Sequence, residues 1–219
     1  MEEKKVLITA GPTSTPLDDV RLITNRFSGY TGILLSKEAV KKGYHVELLL
    51  GKGPFALNCE EKLSESIGIE RFVYFDELKS KLFEKLKRNQ YHIVIHSAAV
   101  NDFALSKGFK GKISSEVEAL NIELKRTPKL LDSIRDLARK SILVSFKLEI
   151  DLPKEQLFEK ARQQAQRTDS DYVVANYSDS STLGYKAYIL KKGVELMAAV
   201  DSKEEMVEKL FYSIKEEKR

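Results

Sequence analysis

The architecture of this chain is set by the segment Gly11-Pro-Thr-Ser-Thr-Pro-Leu-Asp-Asp-Val-Arg-Leu-Ile-Thr-Asn-Arg-Phe-Ser-Gly-Tyr-Thr-Gly32, called here the first loop. An apolar run, Val6-Leu-Ile-Thr-Ala10, comes directly before it and is typical of a buried strand. Residues 33–40 follow it with apolar side chains at helical spacing. The first loop is therefore predicted to join the first strand of an open α/β sheet to its first helix. In such sheets this connection is the usual place for a phosphate group.

The end of the first loop predicts an anion site. Ser28 is the expected N-cap, and Gly29 and Gly32 let backbone or ligand come close to the helix start. The unpaired N–H groups there favour an anion. The G-x-G-x-x-G fingerprint of dinucleotide sites is missing. Arg21 and Asn25 would point the same way if their part of the loop formed a helical turn; the alternative is a solvated arginine and a turn asparagine.

Size and composition exclude several classes of protein. The 219 residues suffice for a large buried core without disulfides. The 37 basic and 33 acidic residues nearly balance, which argues against a nucleic-acid-binding protein. Cys59 stands alone, so no internal disulfide is expected. Neither a signal sequence nor a long apolar run is visible, so the protein is expected to be cytoplasmic, with no membrane partner.

The rest of the chain alternates strand and helix patterns, which favours a mainly parallel sheet with helices on both faces. The expected fold is α/β, a three-layer Rossmann-like arrangement within a single domain over residues 1–219. The Lys- and Gly-rich segment at about 104–118 is predicted to form a protruding flap. A half-exposed strand is expected at 120–125, and Thr127-Pro128 is expected to open a helix. A hairpin over 185–200 should turn at Lys192-Gly193.

Ligands of such sheets bind beyond the carboxyl ends of the strands, so the residues that follow each strand are the candidates for a site. Small residues could leave room for a ligand, polar side chains could bond it and Phe146 could stack on a ring. Each also has an ordinary structural interpretation, in packing, a turn or the core. The set comprises Gly11, Asn25, Ser28, Gly29, Gly32, Ala98, Ala99, Asp102, Phe146, Lys147 and Asn176.

Other chemistries fit the sequence poorly. No His/Cys pair has metal-ligand spacing, and no protein metal site is expected. His96 is interpreted as a strand residue in or near the core, and Asp18-Asp19 as a solvated turn rather than metal ligands. Lys112 on the flap is either a solvated lysine or a cation that closes over phosphates and stabilises charge that develops on them. Lys107 and Lys110 are interpreted as solvated.

Several motifs, in this order along the chain, are similar to those of the phosphopantothenate–cysteine ligase family. They cover most of the chain, and together they are far more specific than any one alone. They read Ile8-Thr-Ala-Gly-Pro-Thr13, Val20-Arg-Leu-Ile-Thr-Asn25, Ser28-Gly-Tyr-Thr-Gly32, Ser97-Ala-Ala-Val-Asn-Asp-Phe103, Lys112-Ile-Ser-Ser115, Thr127-Pro-Lys-Leu-Leu131, Ser145-Phe-Lys-Leu-Glu149 and Val173-Val-Ala-Asn176.

The resemblance implies a two-step ligation of 4′-phosphopantothenate to L-cysteine. The substrate carboxylate attacks the α-phosphorus of CTP or ATP, with Mg²⁺ on the triphosphate, and cysteine then displaces the nucleoside monophosphate. It implies a homodimer, with the flap and a sheet extension at the interface. The absence of a flavin-binding half suggests a monofunctional form with its partner enzyme on a separate chain.

The resemblance also assigns a role to each candidate residue. Gly11, Gly29 and Gly32 would line the triphosphate, with Ser28 and Lys147 in the same nucleotide site, and Phe146 and Asn176 would hold the nucleoside. Ala98, Ala99 and Asp102 would lie along substrate and nucleotide, and Asn25 would orient the carboxylate and the acyl intermediate. Lys112 would meet developing phosphate charge, and Arg21 would serve the second half-reaction, often in the dimer mate's site.

Departures from the family pattern leave the nucleotide open. Gln164 and Thr168 fall near positions where fused bacterial members carry lysines that touch the triphosphate, and Arg162 and Arg167 are possible substitutes. CTP and ATP both remain candidates. The competing classes are a nicotinamide- or flavin-dependent oxidoreductase, disfavoured by the missing fingerprint and by the lack of an acidic residue ending the second strand, and a non-catalytic nucleotide-binding regulator.

Overall fold

The computed structural model describes residues 4–53, 65–106, 108–178 and 184–216; Cys59 and Lys107 lie outside this part of the chain. The elements are β1 (Lys5–Ala10), β2 (Ser14–Pro16), β3 (Leu22–Thr24), α1 (Tyr30–Lys41), β4 (His45–Gly51), β5 (Ile67–Phe72), α2 (Phe75–Arg88), β6 (Ile93–His96), β7 (Phe103–Leu105), β8 (Leu124–Arg126), α3 (Leu131–Leu137), β9 (Ile142–Ile150), α4 (Lys154–Thr168), β10 (Tyr172–Ser178), β11 (Lys186–Lys191), β12 (Glu195–Val200) and α5 (Lys203–Glu216).

Eight of these strands form a central sheet in the order β12-β11-β10-β9-β6-β1-β4-β5. The strands from β10 to β5 are parallel, and β11 and β12 add an antiparallel hairpin at one edge. β1 pairs with β4 on one side and with β6 on the other. The carboxyl ends of β1 and β6 therefore flank the crevice where the strand order reverses, the usual ligand position in open α/β sheets.

Helices cover both faces of the sheet, which confirms the predicted three-layer α/β fold. On one face, α1 packs against α5 and β1, and the shared core includes Ile33, Leu35 and Leu210. On the other face, α2, α3 and α4 pack in sequence, with Leu78 and Leu82 of α2 fully buried. Because β1 is covered on both faces, its residues from Val6 to Ala10 are almost wholly buried, as a continuous apolar run predicts.

The first loop holds a small hairpin rather than a helical turn. β2 and β3 pair antiparallel in register, and β3 lies between Arg21 and Asn25. Helix α1 then begins at Tyr30 with Gly29 as its N-cap at φ 81°, so the prediction of Ser28 as N-cap is wrong. A left-handed cap position favours glycine, and Ser28 instead accepts a hydrogen bond on Oγ from the Tyr30 N–H at 3.3 Å.

The segment after β6 differs from expectation in two places. The helix expected at Thr127-Pro128 begins only at Leu131. The reason is that Thr127 is bonded to the two residues just before β7: its N–H donates to Asp102 O at 2.9 Å and its hydroxyl to Asn101 O at 2.6 Å. The strand expected over 120–125 is shorter and lies at β8. β7 and β8 pair antiparallel and form the base from which the flap projects.

The hairpin of β11 and β12 turns at Lys192 and Gly193, as predicted. None of the helices in the described ranges has both the length and the apolar character needed to cross a bilayer.

Candidate active site

A cavity of about 940 Å³ opens beyond the carboxyl ends of β1, β6, β9 and β10. Its volume lies within the range of about 300–1,000 Å³ that is common for small-molecule sites. All eleven residues predicted from the strand ends line it: Gly11, Asn25, Ser28, Gly29, Gly32, Ala98, Ala99, Asp102, Phe146, Lys147 and Asn176. Arg21 and Lys112 do not. The structure therefore gathers the strand-end candidates into one cavity and leaves the two remaining cationic candidates outside it.

The wall around the first loop is built from closely packed backbone. Gly11 has φ +80°, and a Cβ added there would lie 2.9 Å from the Gly51 nitrogen. A Cβ on Gly32 would lie 2.1 Å from the Cβ of Ala10, so glycine lets α1 rest directly on β1. These glycines are required by the packing of the chain itself. The consequence is that the start of α1 forms part of the cavity wall.

The start of α1 is suited to an anion. Its first turn carries no acidic residue, and Gly29 accepts N–H groups of the turn on its carbonyl, with the Gly32 nitrogen at 3.0 Å. The remaining partial positive charge of the helix terminus, about half an elementary charge, is directed at the cavity. A phosphate or carboxylate group is the matching ligand class.

Asn25 is held in a defined orientation beside the first strand end. Its side-chain nitrogen Nδ2 donates to Ala99 O at 2.9 Å, and the Thr13 N–H donates to the same carbonyl at 3.2 Å. Ala99 N in turn donates to Gly11 O at 2.9 Å. An amide nitrogen carries two N–H groups, so the contact with Ala99 fixes the amide and leaves its second N–H for a ligand oxygen.

The opposite wall consists of Phe146, Lys147 and Asn176 from β9 and β10. Phe146 is half-buried against the core, and Lys147 forms an ion pair with Glu149 at 3.0 Å. The Asn176 Oδ1 is buried and finds no hydrogen-bond partner within the described residues; the same is true of the Tyr185 hydroxyl nearby on the cavity wall. Buried polar atoms are normally bonded, so these two atoms indicate that a polar ligand belongs here.

Asp102 lies at the cavity mouth and is largely exposed. Its carboxylate forms an ion pair with Lys129, and its backbone oxygen accepts the Thr127 N–H. The Asp102 side chain is therefore already paired with Lys129, so it is neither a free turn residue nor an unoccupied ligand group. Among the described residues, Asp102 is the acidic side chain of the cavity, and no cluster of three or more potential metal ligands is found there.

His96 lies buried at the end of β6, in agreement with the sequence interpretation, but it also lines the cavity. Its Nδ1 is 2.8 Å from the Thr9 Oγ1. Burial lowers the pKa of His96 to about 4, so the ring is neutral near pH 7. A neutral imidazole contributes hydrogen-bonding capacity to this wall without adding charge.

The hairpin and the last helix contribute a group that the sequence analysis missed. Lys203 lies with its Nζ 5.7 Å from the ring centroid of Tyr30 and 5.8 Å from that of Tyr185, and all three line the cavity. The Tyr30 hydroxyl donates to the Glu204 carboxylate at 3.0 Å. Lys203 and Tyr185 belong to none of the motifs described above, so only the topology in which α5 packs against both α1 and β11 could have identified them.

Two of the four α4 residues considered for the triphosphate lysines, one of the two near the lysine positions and one of the two possible substitutes, reach the cavity. Gln164 and Arg167 line the cavity, Gln164 with its Nε2 donating to Ser145 Oγ at 3.0 Å and Arg167 paired with Asp132. Arg162 pairs with Glu159 away from the cavity, and the Thr168 hydroxyl donates to Gln164 O at 2.8 Å.

Arg21 lies outside the cavity and faces the flap. Its Nη1 is 3.0 Å from the Asp18 Oδ2, and its Nη2 donates to Ile113 O at 3.3 Å. Because β3 lies between Arg21 and Asn25, this part of the loop is not a helical turn, and the shared face that such a turn would give is not formed. Asp18 is buried, which corrects its interpretation as solvated, whereas Asp19 is exposed as expected. Lys112 is exposed on the flap.

Comparison with known proteins identifies the family. Residues 1–217 match the DNA/pantothenate metabolism flavoprotein C-terminal domain. The chain belongs to this family. It is 36% identical over 177 residues to the coenzyme A biosynthesis bifunctional protein CoaBC of Thermococcus kodakarensis, a match that covers 80% of this chain and 42% of the relative. The corresponding protein of Methanocaldococcus jannaschii is 30% identical over 220 residues, or 98% of this chain and 51% of the relative.

The family match confirms the resemblance drawn from the motifs, and the chain spans about half the length of the curated relatives it matches. A crystal structure of the DNA/pantothenate metabolism flavoprotein from Streptococcus pneumoniae superposes with a TM-score of 0.83 at 27% identity, covering 97% of this chain and 98% of that chain. A Cab2 mutant in complex with phosphopantothenate-cysteine gives a TM-score of 0.71 at 20% identity, over 96% of this chain and 86% of that chain. The second likeness shows a shared fold.

Proposed function

We propose that this chain ligates 4′-phosphopantothenate to L-cysteine through an acyl-nucleotidylate intermediate. The observation that carries the proposal is the combination of family membership with a cavity in which an anion-binding helix start faces an oriented amide, Asn25. The relatives from Thermococcus kodakarensis and Methanocaldococcus jannaschii are named for coenzyme A biosynthesis, and the Cab2 structure contains phosphopantothenate-cysteine.

In the first step, a carboxylate oxygen of the substrate attacks the α-phosphorus of CTP or ATP. A phosphorus–oxygen bond forms while the bond to the leaving pyrophosphate breaks. The start of α1 would receive phosphate oxygens, because the dipole at its N-terminus stabilises negative charge. The second N–H of Asn25 would hold the carboxylate in line with the α-phosphorus. This contact would orient the carboxylate without adding a positive charge that attracts it away from the phosphorus.

In the second step, the amino group of cysteine attacks the acyl carbon. A carbon–nitrogen bond forms, the carbon–oxygen bond to the nucleoside monophosphate breaks, and the amine releases a proton to solvent. Asn25 would keep the acyl oxygen in place through both steps. Arg21 and Lys112 would supply positive charge; since both lie outside the cavity, their roles require the flap or a second copy of the chain to bring them to a site.

The nucleoside would lie on the wall formed by Phe146 and Asn176. Phe146 offers a ring for stacking, and the unpartnered Oδ1 of Asn176 would accept an N–H or O–H from the base or sugar. Lys147, which forms an ion pair with Glu149, would contact the same ligand.

Mg²⁺ would enter with the triphosphate. The cavity presents Asp102 as its acidic group in the described part of the chain, and this carboxylate is already paired with Lys129. A magnesium ion at a nucleotide site is usually held by one or two carboxylates, with phosphate oxygens and water completing its shell, so Asp102 would suffice as the protein ligand. When bound, the ion would neutralise phosphate charge.

A homodimer is part of the proposal. Large apolar side chains are exposed around the hairpin of the first loop and the base of the flap, among them Val20 (67%), Leu22 (48%) and Phe103 (51%). Exposed apolar side chains that form a contiguous patch are typical of association surfaces, and these would be the contacts between the two copies. Sedimentation analysis at micromolar concentration should give twice the mass of the chain, and a monomer would contradict this part of the proposal.

The experiment that tests the function is pyrophosphate release from 4′-phosphopantothenate, Mg²⁺ and either CTP or ATP, with and without cysteine. We expect at most about one pyrophosphate per site without cysteine and continuous release with it, and the faster nucleotide is the substrate. No release with either nucleotide would contradict the proposal. Cysteine-independent turnover would also contradict it, because the amine is needed to clear the intermediate.

A further inference from the structure

A single buried carboxylate, that of Asp18, connects the first loop to the flap. Its Oδ1 accepts the N–H groups of Val20 at 2.8 Å and Arg21 at 2.7 Å. Its Oδ2 accepts the N–H of Ile113 at 3.1 Å and the Arg21 guanidinium at 3.0 Å. Both oxygens thus receive two donors each, and one of these donors belongs to the flap. The position of the flap backbone at Ile113 is therefore tied to the first loop.

Neighbouring contacts bind the flap on the other side of Lys112. The Asp19 carboxylate accepts the Gly111 N–H at 2.9 Å, and the Asp19 N–H donates to Gly111 O at 3.2 Å. Arg21 adds a hydrogen bond to Ile113 O at 3.3 Å. The residues immediately before and after Lys112 are therefore both anchored, while the Lys112 side chain itself is exposed.

The charge of Asp18 is part of this arrangement. The hydrogen bond from the Ile113 N–H lowers the pKa of the Asp18 carboxyl, and although burial opposes the change, the N–H groups of Val20 and Arg21 and the guanidinium of Arg21 reinforce it. The carboxylate is ionised at neutral pH, and hydrogen bonds to an ionised acceptor are about twice as strong as neutral ones.

We propose that Asp18 is a positioning residue: it fixes the backbone that carries Lys112, and so sets the position of this lysine when the flap or a second copy of the chain brings it to a site, where it would meet the charge developing on the transferred nucleotide. This inference rests on the proposed ligase function. Asp18 touches neither substrate nor reacting atoms in this scheme: it fixes the backbone on which the lysine is carried. Displacement of a charged group by about 1 Å can lower a rate by about 10²-fold, so loss of the anchor should be visible in kcat.

The test is a double-mutant cycle on pyrophosphate release. Asp18→Asn keeps the shape of the side chain but removes its negative charge. It also replaces one acceptor oxygen by an NH2 group, which would face another donor, such as the Ile113 N–H or Arg21. We expect Asp18→Asn to slow the first pyrophosphate release by about 10-fold or more, with little change in the KM for nucleotide. In a Lys112→Gln background the same substitution should have almost no further effect on this first release, which precedes the half-reaction assigned to Arg21, because the lysine it positions is gone.

Amide hydrogen exchange provides a readout that does not depend on activity. Exchange at Ile113 should be faster in Asp18→Asn, while exchange in β1 and α1 should match the wild type. Glu118→Gln changes an exposed carboxylate on the same flap and should leave both exchange and kcat unchanged.

Two outcomes separate the two levels of the proposal. If the wild type releases pyrophosphate and Asp18→Asn slows the first release equally in both backgrounds, the positioning role is overturned while the ligase assignment stands. If the wild type releases none, the ligase assignment itself fails. Unchanged exchange at Ile113 in Asp18→Asn would also overturn the positioning role, since the carboxylate would then not hold the flap.

Discussion

The cavity wall around the first loop and the flap are held in place by different kinds of contact. The wall rests on buried strands and on glycine backbone packed within van der Waals distance of its neighbours. The flap is exposed and is tied to the first loop by the carboxylates of Asp18 and Asp19, by Arg21 and by backbone hydrogen bonds such as that from Phe109 N–H to Leu17 O. The wall should therefore remain folded when a side chain is removed but not when atoms are added. The flap should instead lose its position when a single charged group is removed.

The sharpest test of this difference compares two glycines that share a positive φ. Gly11→Ala would place a Cβ 2.9 Å from the Gly51 nitrogen in the wall, whereas a Cβ at Gly111 of the flap meets nothing within 4 Å. Left-handed backbone alone costs about 1–2 kcal/mol for alanine. We expect Gly11→Ala to lower the free energy of unfolding by about 4 kcal/mol, since backbone must also move, and Gly111→Ala by about 1 kcal/mol.

Urea denaturation of both variants measures the two losses directly. Equal losses would show that the wall is no more tightly packed than the flap and would remove the basis of the comparison.

The next effect concerns His96, at the buried side of the cavity. Its pKa is lowered by burial to about 4, below the ordinary value of 6.5. Between these values the unfolded chain binds a proton that the folded chain does not, so acidification favours unfolding. The stabilisation is complete above pH 6.5 and is lost as the pH falls towards 4, by about 3 kcal/mol in all.

The measurement is the free energy of unfolding across this pH range for the wild type and His96→Gln, which lacks the titrating group. The difference between the two curves should grow as the pH falls from 6.5 to 4. Lys112→Gln serves as the control from the exposed region and should retain the wild-type pH dependence. Parallel curves for His96→Gln and the wild type would mean that the ring is not kept neutral by burial.

Much of the fold and of the wall could be predicted because burial leaves a local trace in the sequence. The run from Val6 to Ala10 is apolar because β1 is covered on both faces. Ala98 and Ala99 follow β6, and Phe146 and Asn176 lie within β9 and β10, strands that run parallel to β6 in the same sheet. Family motifs then gave these positions their expected roles. The rule that ligands bind at the carboxyl ends of parallel strands can be applied without knowing which side chains are in contact.

The flap anchor could not be predicted in this way, because its contacts join distant parts of the chain. Asp18 and Ile113 are 95 positions apart, and the short strands β2 and β3 that present Asp18 have only three residues each. Lys203 and Tyr185 escaped notice for the same reason: they reach the cavity only because α5 packs against both α1 and the hairpin. Residues placed by long-range pairing leave no periodic signal.

Within the cavity, removal of a side chain should affect catalysis far more than folding. Asn25→Ala deletes the amide that would hold the carboxylate, and we expect pyrophosphate release to fall about 100-fold. The free energy of unfolding should fall by only about 1 kcal/mol, because Ala99 O still accepts the N–H of Thr13. Thr24→Val removes a comparable loop hydrogen bond, from the Thr24 hydroxyl to Thr13 O, and is the matched control, with turnover expected within about threefold of wild type. Turnover unchanged in Asn25→Ala would contradict the assigned role.

The smallest structural effect is expected on the flap itself, where Lys110 and Lys112 are both exposed lysines two positions apart. If the anchoring of Gly111 and Ile113 serves to present the lysine between them, then Lys112→Gln should slow the first pyrophosphate release by about 10-fold, while Lys110→Gln should leave it unchanged. Neither substitution should shift the melting temperature, because an exposed cation contributes little to folding. Rapid-quench measurement of the first turnover separates this step from cysteine transfer. Equal rates in the two variants would mean that the flap holds no specific cation, and the contrast between a rigid wall and a positioned charge would lose its functional meaning.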